Sequence, residues 1–381
     1  LSINIYSQYF KNINNIEGLT SKNIYDIEFD KNGSLWICTY GSGLYSYDGN
    51  NLKQYNDTAV GANRSRTIFI DSNIVFNGTA NDVYIIKGQS IKSIACFKEN
   101  QQVTCIRKIN KSDYLITTTL GLYRYKNNVL VPIDVEAQSL KEKRVTYSII
   151  KNESNSEHYV TSQKGLFKVS ADKSKIYPIS FNNFKNFRCS KGVFLNDTLY
   201  LTTSFGLALI KNDKLVKVYN DSLFGSNSIT HVFKPKNKNY LWLFLKGQMI
   251  KFQNGKIIEK YDVQDGLPNF EVSKVLEDKD GNFILAFREG GGLCYFIENY
   301  IYKYNVGIIN NIFKVNDTLG YYSNKHVIAL LNFKTKKSTK VVDFETLNLK
   351  GIKKFVVDSR RVVWVYLESN LLLGITDNKV I

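Results

Sequence analysis

The stretch Asn23-Ile-Tyr-Asp-Ile-Glu-Phe-Asp-Lys-Asn-Gly-Ser-Leu-Trp-Ile-Cys-Thr-Tyr-Gly-Ser-Gly-Leu-Tyr-Ser-Tyr-Asp-Gly-Asn-Asn-Leu-Lys-Gln-Tyr-Asn56 contains four apolar runs of strand length, separated by three turn signals. Asp30-Lys-Asn-Gly33, Gly41-Ser-Gly43 and Asp48-Gly-Asn-Asn51 reverse the chain at low cost. Glycine takes positive φ without a Cβ clash, and Asp and Asn side chains bond their own backbone. Four strands joined by hairpins form an antiparallel meander, and Glu17-Gly-Leu-Thr-Ser-Lys22 leads into it.

The meander recurs. The turn before its third strand returns as Gly43-Leu44-Tyr45, Asp82-Val83-Tyr84, Gly121-Leu122-Tyr123, Gly165-Leu166-Phe167, Gly206-Leu207, Gly247-Gln248-Met249, Gly292-Leu293 and Asn370-Leu371, with a weaker copy near His326-Val327. The mean spacing is about 41 residues, the period of four-stranded propeller blades, and the helical spacing of a helix-pair solenoid is absent. A large aromatic opens most second strands: Trp36, Tyr114, Tyr159, Tyr200, Trp242, Phe283 and Trp364. A flat, wide side chain there covers the gap between diverging blades. The chain therefore reads as an all-β protein, a β-propeller of four-stranded antiparallel blades with about nine repeat units. Its structural landmarks are Trp36, Gly43, Trp242, Gly292 and Trp364.

Nine units exceed the four to eight blades in which propellers normally close. The interval before His326 is short and the unit over Ile309–Phe333 lacks the Gly-Leu turn. The expected organisation is a seven-bladed propeller over 1–305 and the first blades of a second over 306–381. The alternative is one eight- or nine-bladed ring over 1–381, in which Ile3–Phe10, which reads as an outer strand, completes the last unit; shared termini leave no open edge.

Composition limits the function classes. The chain has 381 residues, 43% hydrophobic, with 13% aromatics and a formal charge of +17. Its lysines are scattered through the turns rather than clustered, which is a solvated surface and not the basic patch of a nucleic-acid binder. Cys38, Cys96, Cys105, Cys189 and Cys294 form no CxxC pair and read as small buried residues, with a Cys96–Cys105 bridge the one pairing that loop proximity suggests. No run reaches the length of a membrane span. No leader pattern is visible at Leu1, so any leader is expected to lie outside the chain.

The segment Glu17–Gly49 resembles the two-component regulator propeller repeat, and so does Asp265-Gly-Leu-Pro-Asn-Phe-Glu-Val-Ser-Lys-Val-Leu-Glu-Asp-Lys-Asp-Gly281, with its Gly-Leu-Pro entry and Asp-x-x-Gly turn. The resemblance implies the periplasmic sensor region of a hybrid or classical histidine kinase of Bacteroidetes. Such regions commonly hold two stacked seven-bladed wheels that recognise glycans, and membrane contact comes only through other parts of the parent chain. Related propellers also dock proteins in a secretion system.

Catalysis needs converging groups, and His158, His231 and His326 fall in different units with no partner at a known spacing. No metal or cofactor motif is present; Asp278-Lys-Asp-Gly281 lacks the downstream Glu of a calcium loop. A wheel gathers loops from every blade at one face of its channel. The links between second and third strands and between blades place Tyr40, Arg64, Arg66, Arg144, Lys164, Arg188, Phe205, Lys246, Arg288 and Glu289 there. Arginine forks beside aromatics suit acidic sugars or carboxylates. Three readings follow: a non-catalytic sensor of a glycan or other small ligand, a docking scaffold for a protein partner or a second copy, and a propeller lyase or hydrolase using the histidines and Glu289.

Overall fold

The computed structural model describes residues 10–13, 16–55, 64–97, 101–135, 146–181, 187–225, 228–297, 311–316, 319–324, 326–332, 337–349, 351–376 and 379–381. They form nine antiparallel meanders in two compact units, one Gln8–Asn299 and the other holding Tyr300–Ile381. The protein is an all-β propeller.

The first blade is Ile24–Phe29, Leu35–Thr39, Gly43–Tyr47 and Leu52–Tyr55, numbered from the innermost strand outward. Its second strand is buried along its whole length and its fourth is largely exposed, as a wedge packed between neighbours requires. Inner strands of the next six blades begin at Thr67, Val103, Thr146, Cys189, His231 and Val272. The fourth blade gains a fifth strand, Asp134–Val135, parallel to Lys175–Pro178.

The turn chemistry explains why the meander repeats. The Asp30 carboxylate accepts from the Asn32 and Ser34 amides at 2.8 and 3.0 Å and from Trp36 Nε1 at 3.1 Å, so one side chain shapes the turn and orients the blade-face tryptophan. Asp358 does the same for Arg360, Val362 and Trp364 Nε1. Asp278 uses its second oxygen on Tyr295 instead. A hydroxyl clamps the opposite turn in five blades. Thr39, Thr79, Thr118, Ser162 and Thr203, each at or just beyond the end of a second strand, donate to the carbonyl that opens the third, at 2.8–3.2 Å. Gly206 shows why glycine stands in this turn: its φ is +117°, and a Cβ would lie 2.2 Å from the Tyr219 carbonyl oxygen.

Burial runs around the ring in seven interblade cores. The first joins Trp36, Cys38 and Leu44 to Ile68, Val75 and Ile86; five more join each blade to the next. The seventh joins Leu276, Ile284, Ala286 and Leu293 of the seventh blade to Ile24, Ile27, Leu35, Ile37 and Tyr45 of the first. Blades of the first unit therefore close on themselves. The seventh blade has three strands of its own, Val272–Glu277, Phe283–Phe287 and Gly292–Phe296, and takes its outermost strand, Phe10–Asn12, from the start of the chain.

That pairing corrects one expectation. Apart from Phe10, the segment Ile3–Phe10 lies outside the described residues, and the strand seen pairs with the seventh meander rather than the last. Cys105 is a free buried thiol, so the bridge to Cys96 is not formed; Cys38, Cys189 and Cys294 are likewise free and buried.

In the second unit, one sheet is Asn311–Lys314, Leu319–Ser323, Val327–Asn332 and Lys337–Asp343. The other is Ile352–Val357, Val363–Leu367, Leu372–Thr376 and Lys379–Val380. They share a core of Ile328, Val342, Phe344, Phe355 and Val365.

Phe10 is 1% exposed, stacked on Phe296 with centroids 4.8 Å apart and set edge-on to Tyr261. Phe10→Ala is expected to destabilise the first unit by about 3–5 kcal/mol, the cost of emptying a buried aromatic site. Urea unfolding followed by tryptophan fluorescence checks this; a midpoint equal to the wild type would mean that the N-terminal strand does not hold the ring.

Candidate functional site

Seven inner strands surround a channel, and a cavity of about 770 Å³ occupies it, lined by every blade of the first unit. Inner strands bulge near their start: pairing slips between Ile24 and Asp26, Val103 and Cys105, Thr146 and Ser148, Cys189 and Gly192, and Val272 and Lys274. A bulge re-aims the side chains around it, and Tyr25, Thr104, Tyr147, Ser190, Lys191 and Ser273 fall at these slips and line the cavity.

The outer tier is guanidinium on tyrosine. Arg66 lies over the Tyr25 ring at 4.5 Å and Arg288 over the same ring at 5.2 Å, so Tyr25 carries a cation on each of two contacts. Arg66 also reaches Tyr40 at 5.5 Å, and Arg188 lies over Tyr147 at 5.3 Å. Stacking holds a guanidinium plane in place and leaves its in-plane donors free.

Charge deepens inward. Asp26 is 8% exposed and takes Lys274 Nζ at 2.8 Å, Thr67 Oγ1 at 2.8 Å and the amides of Ile27 and Ile68 at 3.0 Å. Burial pushes its carboxyl up, but the Lys274 ammonium and these donors outweigh it and hold the group below the ordinary range. Burial likewise opposes the Lys274 charge, and Asp26 with Glu28, 3.4 Å away, more than restores it. Lys191 has no such partner; burial pulls its ammonium down to about 8, with Lys274 and Arg288 adding repulsion. The cavity wall carries six cations, Arg66, Arg107, Arg188, Lys191, Lys274 and Arg288, against two carboxylates, Asp26 and Glu271. Lys274 is matched by Asp26, and Arg288 by Glu271 at 3.4 Å. Among the described residues, Arg66, Arg107, Arg188 and Lys191 form no ion pair, so the wall is set for an anion.

Of the loop residues expected at this face, Arg66, Arg188 and Arg288 line the cavity. Tyr40 adjoins Arg66, and its backbone bridges to Arg64, which is exposed. Lys246 and Glu289 pair with each other at 3.7 Å, both exposed. Phe205 packs edge-on to Phe187 at 5.4 Å, and the Lys164 amide donates to Ser162 Oγ; neither lines the cavity. Arg144 lies outside the described residues. Sequence reading missed Tyr25, Asp26, Arg107, Tyr147, Lys191, Glu271 and Lys274. Their signal was a charged or aromatic residue early in each first strand, beside a second strand almost wholly apolar.

The histidines stand apart. His158 is 1% exposed and away from the cavity, His326 belongs to the other unit, and only His231 lines the channel.

Residues 18–41 match the family model described as two component regulator propeller. The chain carries a two component regulator propeller repeat. No curated protein sequence matches it. Among solved structures, it is similar to the extracellular domain of the hybrid two component system BT4673 from B. thetaiotaomicron (16% identity, TM-score 0.61), covering 98% of this chain and 53% of that one. It is also similar to the extracellular domain of BT3049 from the same organism (15%, TM-score 0.59; 96% and 53%). A streptogramin B lyase (13%, TM-score 0.58) matches 74% of this chain and 95% of its own. The chain thus spans about half the length of the two extracellular domains. At these identities the likeness is one of fold.

Two outcomes test the electrostatics. Lys274→Met strands a buried carboxylate and is expected to cost about 3–5 kcal/mol, whereas the double variant Asp26→Asn with Lys274→Met recovers most of the loss; chemical denaturation of all three measures it. Burial holds neutral His158 down to about 4. Its folded pKa lies below the unfolded one near 6.5, so the unfolded chain binds its proton first and stability falls as pH drops from about 6.5 to 4. The melting temperature of His158→Gln should decline less steeply over that interval than the wild type; parallel curves would refute the assignment.

Proposed function

We propose that this chain is a non-catalytic, extracytoplasmic ligand-sensing region of a two component signalling protein, and that it binds an acidic glycan or other acidic small molecule at the mouth of its propeller channel. The observation that carries this reading is the pair of unneutralised guanidiniums, Arg66 and Arg188, each fixed over a tyrosine at the rim of a cavity with a cationic wall. Tyrosine faces pack against sugar rings, and arginine forks bind carboxylates bidentately. The repeat match and the fold likeness to extracellular domains of hybrid two component systems support the signalling context. Among the described residues no helix is long and apolar enough to cross a membrane.

We further read residues 1–305 as a seven-bladed wheel and 306–381 as the opening blades of a second, in keeping with similar structures about twice as long. In a protein with two wheels, a ligand at one channel mouth changes output only if it binds one arrangement of the parent better than another. The reading therefore requires differential affinity between two states of the parent protein.

The test is calorimetry and thermal shift with matched acidic and neutral oligosaccharides. Acidic members are expected to bind and raise the melting temperature, and the double variant Arg66→Gln with Arg188→Gln should lose at least tenfold in affinity. Equal response to neutral and acidic members, or unchanged affinity in the variant, would overturn the assignment.

A further inference from the structure

Below the tyrosine tier, one stretch of wall has a charge pattern of its own. Lys191 stands three residues beyond Arg188, on the inner strand Cys189–Leu195 of the fifth blade and within its bulge. Beside it, on the sixth blade, His231 is 7% exposed, lines the cavity, and has Nδ1 buried with no hydrogen-bond partner. The neighbouring cations of the seventh blade are answered, Lys274 by Asp26 and Glu28 and Arg288 by Glu271. Lys191 is not. A half-buried cation without a counter-charge and a buried imidazole nitrogen without a partner both cost stability. An anion bound in the cavity would supply the counter-charge that Lys191 lacks.

We propose that Lys191 and His231 form a deep anion subsite in the channel, distinct from the tyrosine tier at its mouth, that takes an oxyanion group, a sulfate or a phosphate. This rests on the reading of the channel as a ligand site and narrows the ligand to one with an oxyanion group beyond the part held at the mouth. The oxyanion follows from the site: one ammonium and one imidazole that can become imidazolium offer charged donors to a group with several acceptor oxygens.

A charge signature separates this from a packing role. Burial lowers Lys191 to about 8 and holds His231 well below its ordinary value. An anion raises both, so binding takes up protons and affinity rises as pH falls from about 9 to 6. The other charged and titratable groups lining the cavity are Tyr25 and Asp26 on the first blade, Arg66 on the second, Cys105 and Arg107 on the third, Tyr147 on the fourth, Arg188 on the fifth, and Glu271, Lys274 and Arg288 on the seventh. Asp26 is held ionised and Lys274 protonated, so the shifts that bear on that interval are those of Lys191 and His231.

The experiment titrates sulfate and inorganic phosphate into the purified chain at constant ionic strength, reading melting temperature and heat, at pH 6, 7.5 and 9. For sulfate, whose charge is constant over this range, a saturable response that strengthens at least tenfold from pH 9 to 6 is expected; phosphate takes up a proton of its own in the same range, so its response strengthens less. Lys191→Met should abolish it, Lys191→Arg should retain binding while losing the part of the pH dependence above 7.5, and the mouth variant Arg66→Gln with Arg188→Gln should keep it. Sulfate and phosphate together report the shared chemistry; a response to only one identifies the source. No saturable response in the wild type, or an unchanged one in Lys191→Met, overturns the subsite. Acidic oligosaccharide binding lost in the mouth variant would still stand in that case, so the two readings fail separately.

Discussion

Everything in the first unit depends on the union of the two ends of its ring. Seven wedges bury their faces only if the last meets the first, and the chain achieves this by lending Phe10–Asn12 to a blade whose other strands begin at Val272. The pairing satisfies the outer edge of the third strand of that blade and stacks Phe10 on Phe296. It joins residues far apart in sequence, so a large loop-closure entropy accompanies it, offset by burial of the last interblade core. An open ring would leave two apolar blade faces in water, which makes closure cooperative rather than gradual.

Closure also fixes the electrostatics of the channel. At the seam, Ser273 Oγ donates to the Ile24 carbonyl and Lys274 bridges Asp26 and Glu28, so the first and seventh inner strands are held by polar contacts as well as by their core. Asp26 reaches the other way to Thr67 and the Ile68 amide of the second blade. A carboxylate thus ties three consecutive blades and neutralises one cation of the channel. The remaining cations face a space narrow enough to raise their mutual repulsion, a cost the fold tolerates because the ring holds the inner strands where they are.

The repeat was legible because its landmarks are local. Asp30, Gly33 and Trp36 satisfy one another within seven residues, and the same chemistry recurs at Asp358, where Arg361 takes the positive φ of 65° that glycine takes at Gly33. The alternation of turn and strand therefore survives wherever a local contact demands it. The channel wall was not legible for the opposite reason. Tyr25, Lys191 and Lys274 converge only through the ring, across blades separated by scores of residues, and their strands read locally as ordinary half-buried β. Three loop arginines were found because interblade links and turns open on the mouth. Phe205 and Lys164 were placed there by the same rule, yet packing turned one onto Phe187 and left the other outside the cavity.

The hydroxyl clamp shows how framework and function divide. Five blades close the turn after the second strand with Thr or Ser, and the turn is then fixed by its own hydrogen bonds. The sixth and seventh blades have Leu245 and Phe287 at that place, both buried in the ring. Those two turns carry Lys246, Arg288 and Glu289, tied instead by ion pairs and by the Arg288 stack on Tyr25. Where the turn is locked by a hydroxyl its outward residues can change without altering the blade; where the lock is apolar, the charged residues of the turn take part in holding it. Substitutions in the first five turns therefore leave the blade framework in place, whereas changes at Arg288 or Glu271 alter the seam and the channel together.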